Sequence, residues 1–187
     1  MKNVTFFKYQ GTGNDFILID NRTEFFPKKN VELIEKLCDR RFGIGGDGLI
    51  LLENDPAADF KMVYYNADGN ESTMCGNGGR CIVSFAHFLG IFSKDTTFNA
   101  IDGLHHATIN ESGIVALQMI DVAKDTIKKD TDFTFLFTGS PHHVAMVNDI
   151  QNFNVFENGK NIRYSDTYKP GGTNVNFVEQ LNTDSFK

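Results

Sequence analysis

Cys75 is the residue of this chain best set for chemistry. It stands in the stretch Met74-Cys75-Gly76-Asn77-Gly78-Gly79-Arg80-Cys81, where small and polar neighbours replace the apolar ones that a packing cysteine keeps. The run Cys81 to Leu89 is apolar nearly all round and is closed by Gly90, which predicts a short buried helix. Cys75 then lies at or just before a helix N-terminus. There the N–H groups of Gly76, Asn77 and Gly78 lack intrahelical acceptors and carry partial positive charge. That field favours thiolate over thiol and makes the sulfur a usable base or nucleophile. The same N–H groups suit a carboxylate or phosphate beside it. Cys38 and Cys81 fall among apolar helical neighbours and read as packing residues. Six positions apart on one helix, Cys75 and Cys81 point to different faces and make a poor metal pair.

Other chemistries fit less well. A cysteine phosphatase loop needs Cys-x5-Arg, but Arg80 comes one residue early and Cys81 holds the required place. A thiol hydrolase needs a partnering histidine, for which His105, His106, His142 and His143 are distant candidates. Gly43-Ile44-Gly45-Gly46-Asp47-Gly48 matches the dinucleotide fingerprint GxGxxG in letters only. That fingerprint follows a strand and opens a helix, whereas here a helix precedes and the strand Leu49 to Glu53 follows.

The Cys75 stretch, with Asn66-Ala67-Asp68-Gly69 before it, resembles the first active-site segment of the diaminopimelate epimerase family. Gly11-Thr12-Gly13-Asn14-Asp15-Phe16, Arg40-Arg41-Phe42-Gly43-Ile44-Gly45 and Gly172-Thr173-Asn174-Val175-Asn176-Phe177 agree in the same order along the chain. The resemblance implies an α+β fold of two pseudo-symmetric halves. Each half is a curved mixed sheet around a central helix, with a substrate cleft between the two. It implies interconversion of LL- and meso-2,6-diaminopimelate without pyridoxal phosphate or any other cofactor or metal. Two thiols on opposite faces of the α-carbon do this in the family, in lysine and peptidoglycan-precursor synthesis. Carried over residue by residue, Cys75 is one catalytic thiol, and His142, in a proline–histidine step beside the substrate, is a second catalytic residue. Asn14, Asn66, Asn174 and the N–H groups of Gly76 and Asn77 bind it. Two positions depart from the common pattern: Gly48, where many members have glutamine, and Ser140, where many have asparagine. The second cysteine and a Glu-Arg pair are expected soon after the strand at Val175, and the 187 residues hold neither. The expectation is therefore a partial second half and an inactive fragment. A non-catalytic amino-acid-binding module, or another cofactor-independent racemase of the same fold, is the alternative.

The elements that must position these residues are legible in outline. Val4 to Tyr9 and Phe16 to Asp20 read as strands about the turn Gly11 to Asn14, and Phe60 to Tyr65 reads as the strand leading to Asn66. Asn30 caps a surface helix over Val31 to Arg41. Short β-like runs follow at Thr96 to Ala100, Ala107 to Asn110 and Ile114 to Ile120. A domain boundary is placed near residue 118, giving halves 1–118 and 119–187. Beyond it Phe133 to Phe137, Val144 to Val147 and Val175 to Val178 read as strands, with Pro141-His142-His143 between the first two. Asn152 to Tyr164 reads as a short helix broken at Gly159.

Composition narrows the partners. With 41% hydrophobic residues and 18 phenylalanines, 187 residues have ample material for a core. A net charge of −6, spread along the chain, argues against nucleic acid and against a polybasic membrane patch. No apolar run is as long as a membrane span, and Met1 to Thr5 lack the character of a secretion signal. Three cysteines with one kept free suit a reducing cytoplasm. The expected partner is a small molecule, diaminopimelate, with a homodimer as the expected assembly of a full-length protein.

Overall fold

The computed structural model describes residues 4–187, so the first three residues of the N-terminal stretch discussed above lie outside it. The fold is α+β, and backbone contacts divide it into a first unit ending at Met119 and a second from Ile120 to Lys187.

In the first unit seven strands form one mixed sheet in chain order: β1 (Phe7–Gly11), β2 (Asn14–Asp20), β3 (Gly48–Glu53), β4 (Phe60–Asn66), β5 (Asp95–Ala100), β6 (Gly103–Ile109) and β7 (Val115–Leu117). The β2–β3 and β4–β5 pairs are parallel and the others antiparallel. Helix α1 (Val31–Cys38) and helix α2 (Gly76–Phe88) cover opposite faces. On the α2 face Phe16, Leu18, Ile50, Met62 and Phe98 pack with Ile82 and Phe85. On the α1 face Ile17, Ile19, Leu49 and Leu51 pack with Ile34 and Cys38. Strands β2 and β3 are thus buried on both sides, which is why they read as continuous apolar runs rather than alternating ones. Helix α2 touches β1 and β2 towards one edge of the sheet and β6 and β7 at the other, so the sheet curls around it.

Helix α2 begins at Gly76, five residues before the apolar run that predicted it. Glycine is a poor helix former, but Gly78 and Gly79 are buried and packing overrides propensity there. Helix α1 is shorter than expected, ending at Cys38 rather than Arg41. The Asp39 carboxylate accepts the N–H groups of Arg41 and Phe42 at 2.8 and 2.6 Å, an alternative to continuing the helix.

The second unit holds a four-stranded sheet in the order β11-β10-β9-β8, with β8 (Lys128–Lys129), β9 (Phe133–Phe137), β10 (Pro141–Met146) and β11 (Asn174–Val178). Only β10–β11 is parallel. Between those two strands runs helix α3 (Val155–Arg163), and a hairpin of β12 (Gln180–Asn182) and β13 (Ser185–Phe186) follows. Pro141-His142-His143 opens β10 instead of preceding it, because the first residue of a strand can lack an N–H donor. Helix α3 is not broken at Gly159. That position faces Val175 and Phe177 of β11, and packing carries the helix through it.

The two units carry titrating groups with different windows. Burial holds His143 below its ordinary value of 6.5. Its stabilising, neutral form is present above that pH and is drained as pH falls towards the lowered value. In the first unit Asp15, held low by Arg40 and Lys8, and Asp59, held low by the Thr97 amide, start from an ordinary value of 3.8. Their contribution is full above that value and is lost only as pH falls through the lowered ones. Amide hydrogen exchange should therefore show β9–β11 loosening from about pH 6.5 downward, while β2–β4 hold until below about pH 4. Loosening of both sets at the same pH would contradict this.

Candidate active site

The register of three strands builds the site. In the parallel β2–β3 pair Phe16 lies opposite Gly48, and in the antiparallel β3–β4 pair Gly48 lies opposite Asn66. The start of β2, the start of β3 and the end of β4 therefore share one edge. Asn14, Asp47 and Asn66 stand there, and Cys75 reaches the same place as the N-cap of α2. No side chain caps that helix; its first ladder bond runs from the Gly79 N–H to the Cys75 carbonyl at 2.8 Å. The N–H groups of Gly76, Asn77 and Gly78 have no partner within the helix.

Cys75 is half-buried, and its Sγ lies 3.7 Å from Asn14 Oδ1, to which the thiol donates. The Asn14 amide gives its Nδ2 to Asp47 Oδ2 at 2.6 Å. Asp47 is held in turn by Arg40, whose Nη2 lies 2.7 Å from Asp47 Oδ1 and 2.6 Å from Asp15 Oδ1. Lys8 completes the cluster at 2.9 Å from Asp15. Asn77 is tied to the β1–β2 turn by the Thr12 hydroxyl at 3.1 Å and is also met by Arg80. Cys38 and Cys81 stay in the core, where burial pushes both thiols up to about 11.

Asn66 opens a tight turn in which the Gly69 N–H returns to its carbonyl and its own N–H reaches Asn70 O, both at 3.0 Å. Gly69 has φ of +80°, and a Cβ there would come within 2.4 Å of the Val31 carbonyl. The turn therefore needs glycine on two counts. The Tyr64 hydroxyl donates to Asn66 Oδ1 at 2.9 Å. The Tyr64 ring also fills the space beside Gly48, where a Cβ would lie 2.5 Å from both the ring and the Tyr65 carbonyl. Glycine at position 48 thus has a local cause in this chain. Burial, with the nearby Cys75 sulfur, keeps the Tyr64 phenol well above its ordinary range.

The other two candidates sit in the second unit. His142 and Asn174 are paired residues of the parallel β10–β11 ladder, and Asn174 Nδ2 donates to the Pro141 carbonyl at 3.1 Å. Asn176 Nδ2 faces His142 Nδ1 at 3.1 Å, which makes Nδ1 the acceptor and leaves Nε2 to carry the proton. His105 is no partner for a nucleophilic thiol. It is buried, with its ring nitrogens on Asp102 at 2.9 Å and the Gln118 carbonyl at 3.1 Å. Sequence reasoning gave no role to Asp47, Arg40, Tyr64 or Asn176, although Arg40 and Asn176 stand in segments that carry the resemblance. Asp47 lies inside the glycine-rich run that was rejected as a nucleotide site, and nothing in its spacing tied it to Asn14. Among the described residues no cluster of His, Cys, Asp and Glu could hold a metal ion.

Comparison with known proteins points to one family. A family model described as diaminopimelate epimerase matches residues 6–124. The diaminopimelate epimerase of Flavobacterium psychrophilum is 62% identical over 180 residues, covering 96% of this chain and 70% of that protein. That of Chlorobaculum tepidum is 45% identical over 174 residues, covering 90% of this chain and 67% of the relative. Among solved structures, a Bacillus anthracis phenazine biosynthesis protein of the PhzF family superposes with a TM-score of 0.65 at 17% identity, over 98% of this chain and 69% of that one. A probable proline racemase from Agrobacterium radiobacter gives 0.61 at 15% identity, over 98% and 68%. At such identities these two share the fold.

Proposed function

The chain belongs to the diaminopimelate epimerase family, isomerases of lysine biosynthesis that interconvert LL- and meso-2,6-diaminopimelate, and from that premise we propose that Cys75 is the thiol that serves one face of the α-carbon, removing its proton in one direction of the reaction and supplying one in the other. The observation that carries this is the placement of Cys75 at the N-cap of α2, half-buried and in contact with Asn14. The first-turn N–H groups of Gly76 and Asn77 then lie where they could hold the substrate carboxylate. As the α-carbon loses its proton, charge moves onto that carboxylate, and aligned donors stabilise it; losing one such donor costs about 3 kcal/mol in the transition state.

Asn14 and Asn66 bind substrate beside the sulfur in this reading. Tyr64 occupies the Asn66 carbonyl oxygen, which leaves the NH₂ of that amide as a donor for an anionic group. His142 and Asn174 act from β10 and β11, His142 through a protonated Nε2. The group that works on the opposite face of the α-carbon is neither Cys38 nor Cys81, since both are buried with raised thiols. Halves ending near residue 118, no cofactor, a small-molecule partner and a cytoplasmic site belong to the same proposal. No helix among the described residues is long and apolar enough to cross a membrane.

Isotope exchange tests the reading with the protein at the full length of its reading frame. In deuterated water a proton-transfer enzyme places deuterium at the α-carbon of diaminopimelate, and the label should vanish when Cys75 is alkylated. A protein that binds diaminopimelate without labelling it would support the amino-acid-binding alternative and end the catalytic one.

A further inference from the structure

We propose that Asp47 is a positioning residue that locks the Asn14 amide, so that its oxygen and not its NH₂ faces the Cys75 sulfur. The proposal rests on the role of Cys75 argued above, but it concerns the sign of the contact made to that sulfur.

A carboxylate can only accept hydrogen bonds. Asp47 Oδ2 lies 2.6 Å from one end of the Asn14 amide, so that end must be Nδ2. The other end, Oδ1, is thereby turned to the thiol 3.7 Å away. Asp47 Oδ2 also accepts the Asp15 backbone N–H at 3.2 Å, so both donors at the start of β2 converge on one oxygen. Arg40 fixes the carboxylate from behind through Oδ1, and its two contacts to Asp15 hold the guanidinium in place. The relay runs from Arg40 through Asp47 and Asn14 to Cys75.

The chemical consequence follows from which end of the amide meets sulfur. A carbonyl oxygen accepts from a thiol and repels a thiolate, whereas an NH₂ donates to a thiolate and favours it. The first-turn N–H groups of α2 and the locked oxygen thus meet the sulfur with dipoles of opposite sign. A residue that removes a proton in one direction of the reaction and supplies one in the other needs both forms within reach, so the lock keeps the thiol available as the acid of the second direction. With the lock released, the amide is free to turn and present NH₂ to the sulfur.

The test compares Asp47→Ala, Asp47→Asn and Arg40→Ala with the parent at the full length of the reading frame. Alkylation of Cys75 by iodoacetamide at fixed pH is read beside kcat and KM. The Cys75→Ser protein supplies the background from every other thiol, the buried Cys38 and Cys81 included. Asp47→Ala should alkylate faster by about fivefold, the factor carried by one hydrogen bond, while kcat falls and KM changes little. Asp47→Asn keeps an oxygen for the Asn14 NH₂ only by turning its own NH₂ onto Arg40, so it should fall between the parent and Asp47→Ala in both readouts. Should Asp47→Ala fail to fold, Arg40→Ala carries the test, because it leaves the carboxylate in place but free to swing. It should move alkylation in the same direction by a smaller factor. Unchanged or slower alkylation in the folded variants overturns the lock. An inert Cys75→Ser enzyme together with unchanged alkylation would remove the lock and leave the role of Cys75 standing.

Discussion

Replacing Cys75 by serine is expected to abolish epimerisation while leaving the fold as stable as before or slightly more so. Serine is a favoured N-cap residue, and its hydroxyl can accept an N–H of the first turn of α2 that no side chain now caps. The helix therefore gains up to about 1 kcal/mol. The base, by contrast, is lost, because an alcohol is far less acidic than a thiol and offers no anion near neutral pH. Loss of a positioned acid–base group costs about 10²–10⁴-fold, and here Cys75 is the base for its face in one direction of the reaction and the acid in the other. Chiral chromatography of diaminopimelate against the thermal midpoint reads both halves of the expectation. Turnover within about tenfold of the parent would remove Cys75 from the mechanism, and a lowered midpoint would show that the loss had a structural source.

The placement of Cys75 was legible because its signal is local. A thiol among glycines and an asparagine, just ahead of an apolar helical run, needs no tertiary information to be placed at a helix start. The strands β2, β3 and β4 were legible for a similar reason, since apolar runs of that length bounded by turn residues admit few other readings. What stayed hidden depends on register. Asp47 meets Asn14 because β2 and β3 pair in parallel with Phe16 opposite Gly48, and nothing thirty-three residues away in sequence announces that. The pairing of His142 with Asn174 rests likewise on a parallel β10–β11 ladder joined through α3. The expected helix break failed where packing outweighed propensity, at Gly159. The fit of Gly48 could be read only with the Tyr64 ring in place.

Those hidden contacts also explain why the site tolerates so many amides and so few charges next to the sulfur. Asn14, Asn66 and Asn77 orient groups through dipoles and leave the protonation state of Cys75 to the helix terminus and the contacts they make. The formal charges, Asp15, Asp47, Arg40 and Lys8, form a mutually neutralising cluster behind Asn14. An amide between that cluster and the thiol passes on orientation without passing on net charge.

That separation makes the smallest change in shape one of the largest in effect. Asn14→Asp substitutes an isosteric side chain, yet it puts a carboxylate where an amide now lies 2.6 Å from Asp47 and 3.7 Å from the Cys75 sulfur. Two carboxylates cannot share a 2.6 Å contact while both are ionised, so one must take a proton or swing away. Swinging away removes the contact that fixes the start of β2 beside β3, whereas a shared proton keeps it as an O–H···O bond. A carboxylate left facing the sulfur repels a thiolate by about 4 kcal/mol at the effective dielectric of a partly solvated site. Asn14→Ala loses only the hydrogen bonds and leaves Asp47 paired with Arg40, which should cost about tenfold in kcat/KM. Asn14→Asp should cost about a thousandfold and should also slow alkylation of Cys75, opposite in sign to the effect expected for Asp47→Ala. Steady-state kinetics and alkylation of the two Asn14 variants side by side decide the matter. If the isosteric variant were no worse than the truncated one, Asn14 would serve only to fill space near the thiol, and its contact with Cys75 would carry no electrostatic role.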